Sequence, residues 1–115
     1  MEETEHMKFE ITVPDQFAEE DGKLKDFLES LQLMVNRMAF SHFKYGNMED
    51  KYPDSAHAVD SVYKRLSMYG KSGNTEDVLD AANFCVIEHI LPSHEKAHFR
   101  SQESKESPGI IYHEG

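Results

Sequence analysis

Apolar and polar positions follow different rhythms in different parts of the chain. From about Lys23 to Phe43, Leu24, Phe27, Leu28, Leu31, Met34, Val35, Met38 and Phe43 recur at steps of three and four. That spacing predicts a long helix with one apolar face. Leu33, Ala39 and Phe40 widen the stripe beyond one face. A helix so broadly apolar in a small chain implies a second contact surface, hence a homodimer, unless an N-terminal strand or the C-terminal tail covers it. Gly46 is placed to end this helix as a left-handed cap.

A second helix is predicted from a cap at Asp54 or Ser55 to about Tyr69, with Ala56, Val59, Val62, Tyr63, Leu66 and Tyr69 on its inner face. Gly70-Lys71-Ser72-Gly73 then reads as a tight loop, short enough to make the next helix an antiparallel neighbour.

The third helix carries the most complete signal. Asn74 is a good N-cap, Glu76 and Asp77 sit at the positive end of the dipole, and Pro92 stops it. Asp77, at the third helical position, is placed to reach back to the cap. Val78, Leu79, Ala82, Cys85, Val86, Ile87 and Ile90 cover more than half of its circumference, which predicts burial on more than one side. Cys85 reads there as a small buried hydrophobe. The polar remainder, Glu76, Asp80 and Asn83, shares one stripe at i, i+4 and i+7.

Outside the helices, residues 8–13 alternate, with Phe9, Ile11 and Val13 on one side, and read as a short strand. Its one candidate partner is Gly109-Ile110-Ile111-Tyr112. Asp15 is placed to cap a brief turn through Phe17 and Ala18. The prediction is a mainly α chain, a compact three-helix core with one or two short β-strands near the termini. Residues 1–7 and 93–108 are expected to be irregular or mobile.

Length and charge narrow the picture. The 115 residues suffice for a single domain with a modest core. Twenty-two acids against 12 Lys and Arg give a net charge of −10, which disfavours direct binding to nucleic acid or anionic membrane. A single cysteine allows no intrachain disulfide. The N-terminus lacks a signal-peptide pattern, so a cytoplasmic setting is expected.

Two constellations carry candidate chemistry. His94-Glu95-Lys96-Ala97-His98 matches the His-Glu-x-x-His pattern of zinc proteases, but its flanks Ser93, Arg100 and Ser101 are polar and the match reads as chance. The second groups Lys44, Tyr45, Arg65, Tyr69 and Asn83 as ligand-binding residues, with Glu76 and Asp80 as Mg²⁺ ligands. Cations there would hold phosphates, a tyrosine would stack on a base and the acids would hold the metal. The bland alternative pairs Arg65 with Glu76 or Asp80, puts the tyrosines in the core, and bonds Asp80 and Asn83 to a neighbouring helix or loop.

The run from Lys44-Tyr45-Gly46 through Arg65-Leu66, Tyr69, Gly73-Asn74-Thr75-Glu76 and Asp80-Ala81-Ala82-Asn83-Phe84 to Ala97-His98-Phe99-Arg100 and Glu106-Ser107-Pro108-Gly109 resembles a group of small uncharacterised phage proteins. More distantly, Lys44-Tyr45-Gly46 and the acidic helix from Glu76 to Asp80 are similar to all-α nucleoside triphosphate pyrophosphohydrolases of the MazG and phage dATP/dGTP diphosphohydrolase kind. That resemblance implies Mg²⁺ held by acids from two helices and cleavage between the α- and β-phosphates. The Glu-Glu-x-x-Glu helix of those enzymes has no counterpart: Glu19-Glu20 is followed by Lys23, and the first long helix offers Glu29 alone. The expectation is therefore a phage-type protein that binds, and in the fuller form hydrolyses, a nucleotide-type ligand in the host cytoplasm. The alternative is a non-enzymatic acidic protein that inhibits a host factor, of the anti-defence or nucleic-acid-mimic type.

Overall fold

The computed structural model describes residues 7–18, 23–103 and 105–113. The acidic segment before Met7 and the stretch Glu19-Glu20-Asp21-Gly22 lie outside them. A single turn, α1 (Asp15–Ala18), precedes the long α2 (Lys23–Tyr45). A 3₁₀ turn at Met48–Asp50 leads through an irregular loop to α3 (Ala58–Ser72) and α4 (Thr75–Ile90). The chain is mainly helical, as its periodicity predicts.

The predicted strands are absent among the described residues: 8–13 and 109–112 are irregular. Alternation creates an apolar side but supplies no partner, and an unpaired strand has nothing to hold it. Phe9 and Ile111 stand almost fully exposed instead of meeting across a ladder.

Helix ends follow local chemistry. Gly46, at φ 88°, closes α2, with its amide donating to the His42 carbonyl at 2.9 Å. α3 starts later than predicted because the preceding residues form their own turn, in which the Ser55 and Ala56 amides donate to the Lys51 carbonyl. It also ends later. The predicted loop from Gly70 to Ser72 is the last turn of α3, and Gly73, at φ 74°, is its left-handed cap. A glycine such as Gly70 weakens a helix by about 1 kcal/mol without ending it. Asn74 caps α4 as predicted, its side-chain oxygen accepting from the Glu76 amide at 3.0 Å.

α3 and α4 form the tightest pair in the molecule, and α2 lies more loosely against α4. The inward faces differ from the predicted ones. On α3, Ala58 is buried and Val62 half-buried, while Val59, Tyr63, Leu66 and Tyr69 are exposed. On α4 the buried positions are Asp77, Asp80, Ala81, Asn83 and Ile87. Val78, Cys85, Val86 and Ile90 of its apolar body face outward, and Cys85 is exposed rather than buried. α4 is thus turned by its polar stripe, because both arginines of the neighbouring helices meet it there.

Candidate functional site

The polar stripe of α4 sits between two guanidinium groups. Arg37, from the middle of α2, reaches Asp80 with Nε 3.3 Å from Oδ1 and Nη2 3.4 Å from Oδ2. Its Nη2 also lies 3.2 Å from Glu76 Oε1. Arg65 of α3 donates to Asp77 Oδ1 at 3.0 Å and approaches Asp80 Oδ2 at 3.4 Å. Asp80 therefore joins all three long helices through one carboxylate. Asp77 does not reach back to the cap as its position predicted; its carboxylate is spent on Arg65.

Asp77 and Asp80 are only 6% and 7% exposed. Carboxylates so buried stay charged only when paired. The hydrogen bond that Arg37 donates to Asp80, aided by the charges of Asp80 and Glu76, raises the Arg37 pKa above its ordinary value against the opposing effect of burial. One turn further along, Asn83 Nδ2 donates to the Met34 carbonyl of α2 at 2.9 Å. This is the tie to a neighbouring helix that the bland alternative foresaw.

Above this network opens a cavity of about 480 Å³, between the C-terminal half of α2, the 3₁₀ segment and the inner faces of α3 and α4. A cavity of that size admits a drug-sized or nucleotide-sized molecule. Four cations line it, Arg37, Lys44, Lys51 and Arg65, against the single carboxylate of Asp80. Lys44 Nζ sits 5.0 Å from the Tyr45 ring centre and 5.9 Å from that of Phe40. Lys51 Nζ donates to the Tyr45 carbonyl. Neither lysine is in an ion pair with a carboxylate among the described residues. Tyr52 also lines the wall, and burial raises its phenol pKa.

The structure brings together Lys44, Tyr45, Arg65, Asp80 and Asn83 of the predicted site. Tyr69 and Glu76 stand outside the cavity wall: Tyr69 lies on the exposed side of α3, and Glu76 turns to Arg37 at the edge of the network. Arg37, Lys51 and Tyr52 were missed. Arg37 had a signal, being the one arginine within a long apolar helix. Lys51 and Tyr52 had none, because they lie in a segment that reads only as loop.

Mg²⁺ fits this arrangement poorly. Oxygen ligands must offer lone pairs to a cation, and both oxygens of Asp80 and Oε1 of Glu76 point at guanidinium nitrogens. Among the described residues, no group of three or more His, Cys, Asp or Glu is placed to hold a metal ion. The His94–His98 segment forms a turn, not a helix, with His94 Nδ1 accepting from the Lys96 amide at 2.9 Å. The two histidines therefore do not share a helical face. No protein-family model, no curated protein and no solved structure matches the chain.

Proposed function

We propose that the cavity binds a nucleotide-type ligand, with the phosphates against Lys44 and Lys51 and the base against the rings of Tyr45, Tyr52 or Phe40. One observation carries this reading. A chain of net charge −10 gathers four cations against one acid around a single cavity, and leaves two of them unspent on carboxylates. Such lysines act as point charges toward phosphate, and flanking aromatic faces suit a planar base. Arg37 and Arg65 are already committed to Asp77 and Asp80, so their part is to hold the floor rigid and positive. On the same reading the chain works in the cytoplasm, that of an infected host if it is phage-encoded. The reading is one of binding. Glu76 and Asp80, tied to arginine, support no metal-dependent step.

A thermal-shift panel of nucleoside mono-, di- and triphosphates, with and without Mg²⁺, tests it. A ligand at 100 times its Kd adds about 2.7 kcal/mol of stability, an easily read shift. At least one nucleotide is expected to shift the midpoint without needing Mg²⁺. Lys44→Ala and Lys51→Ala should each weaken its binding by about tenfold, the loss of one charge-assisted contact. No shift from any nucleotide would overturn the proposal in favour of the acidic interaction protein. A shift that appears only with Mg²⁺ and is lost in Glu76→Ala would restore Glu76 and Asp80 as metal ligands, since nucleotides also carry Mg²⁺ on their own phosphates.

A further inference from the structure

One hydrogen-bond acceptor in the wall of the cavity is left unspent. Asn83 is only 9% exposed and lines the cavity. Its Nδ2 donates to the Met34 carbonyl of α2 at 2.9 Å. A carbonyl oxygen only accepts, so this bond fixes which way round the amide stands. Among the described residues, no N–H or O–H donates to Asn83 Oδ1. None of their buried side-chain oxygens or nitrogens is both sealed from solvent and without a partner. Oδ1 therefore keeps open surface, and the opening that Asn83 borders is the cavity. The oxygen is also firmly held, since Asp80, three residues earlier, is clamped by Arg37 and Arg65.

Depth decides which part of a nucleotide meets it. Lys44 is exposed and Lys51 half-buried, whereas Asn83 and Ile87 are buried. Phosphate is strongly hydrated and costly to bury, so it stays with the lysines nearer solvent. The planar base loses least on leaving water and goes deepest, beside Ile87 and Phe84. The sugar lies between the two. The edge of the base is then the part that reaches Asn83.

An amide oxygen accepts and cannot donate. The hydroxyls of Ser41 and Tyr52, which also line the cavity, can do either and so select little. Adenine and cytosine carry an amino group that donates, where hypoxanthine and uracil carry a carbonyl oxygen. The ring N–H of the keto bases is a donor too, but the carbonyl beside it is then brought toward Oδ1 with no proton between the two oxygens. A buried group left facing the wrong partner loses its hydrogen bond to water and gains none. We propose that Asn83 is a specificity-determining residue, its Oδ1 selecting nucleotides whose base bears an exocyclic amino group over those with a carbonyl in its place. The inference rests on the nucleotide reading above and narrows it.

Calorimetric titration of the full chain with matched 5′-monophosphates tests it, pairing adenosine with inosine and cytidine with uridine. In at least one pair the amino member should bind about tenfold tighter or more. Asn83→Ala, checked for its fold by circular dichroism, should erase that preference while Lys44 and Lys51 still hold the phosphate. If that variant does not fold, the two ligand pairs decide the matter on the unmodified chain. Equal affinity within both pairs, or tighter binding of the keto members, overturns the inference and leaves the nucleotide reading standing. So does a preference that persists in folded Asn83→Ala. A preference for ribose over 2′-deoxyribose with none between amino and keto bases assigns Oδ1 to the sugar and overturns it as well. Binding by no nucleotide removes both the inference and the reading beneath it.

Discussion

Asp80 shows how much one residue can organise. Its two oxygens meet Arg37 from α2 and Arg65 from α3, while the residue itself belongs to α4. Alanine there would leave two guanidinium groups partly buried with fewer partners. Arg37 would keep Glu76 and Arg65 would keep Asp77, so the loss is smaller than for an isolated buried pair. Asp80→Ala is expected to cost about 2 kcal/mol, read as a lower urea midpoint with an unchanged denaturant slope. A loss under about 0.5 kcal/mol would mean that the network tolerates the gap and does not hold the helices together. Sequence reasoning found Asp80, Asn83 and Arg65 as a polar group on converging helices, and left open whether they face one another or a ligand. Both outcomes occur: Asp80 and Asn83 are tied to neighbours and still floor the cavity. Asp77 was read as a first-turn acid placed to reach back to the cap, because a capping contact and a buried ion pair look identical in one dimension.

At the scale of elements, α4 is the instructive case. Its cap, its length and its stop were legible, since each depends on residues close in sequence: Asn74 at the start and the carbonyl of Ile87 receiving the Leu91 amide at the end. Its orientation was not. Hydrophobic count alone puts Val78, Cys85, Val86 and Ile90 inside, whereas the ion pairs put Asp77 and Asp80 there. After α4 the chain is irregular but not featureless. Phe99 packs edge-on to the His89 ring with centres 6.0 Å apart, and Arg100 Nη2 lies 2.6 Å from Glu106 Oε2. The Arg100 hydrogen bond, helped by the Glu103 amide, lowers the Glu106 pKa below its ordinary value. Because the folded value is depressed, this clasp contributes fully above the ordinary glutamate pKa. It is lost as pH falls through the lowered one. Arg100→Ala should return the Glu106 carboxyl toward its ordinary value, as followed by NMR titration. A titration that does not move would mean the clasp is not populated in solution.

At the scale of the whole molecule, the dominant fact is how little apolar surface one copy hides. Ala58, Ala81 and Ile87 are the buried hydrophobic residues among those described, and two of the three are alanines. So small a core leaves a domain of this length marginal. If the homodimer expected from the surplus of apolar positions on α2 forms, folding and association are linked. The thermal midpoint should then rise with protein concentration. A midpoint independent of concentration in the unmodified chain would show that one copy is stable by itself. The cationic cavity belongs to this scale too. Its walls come from residues far apart in the chain, Arg37 and Asp80 among them, and no local pattern announces that they meet.

What the sequence determined by itself was the helical class, the start of each long helix within a few residues, and the surplus of apolar positions on α2. Helix formation, capping and periodicity are interactions between residues a turn apart, so they are written in order along the chain. Tertiary structure alone decided that the short alternating stretches remain unpaired, that α4 turns its acids inward, and that Lys51 and Tyr52 close a cavity with Lys44. Those outcomes depend on which surface arrives opposite which. For ion pairs between helices, and for strands in need of a partner, that choice is made by groups that sequence distance does not bring together.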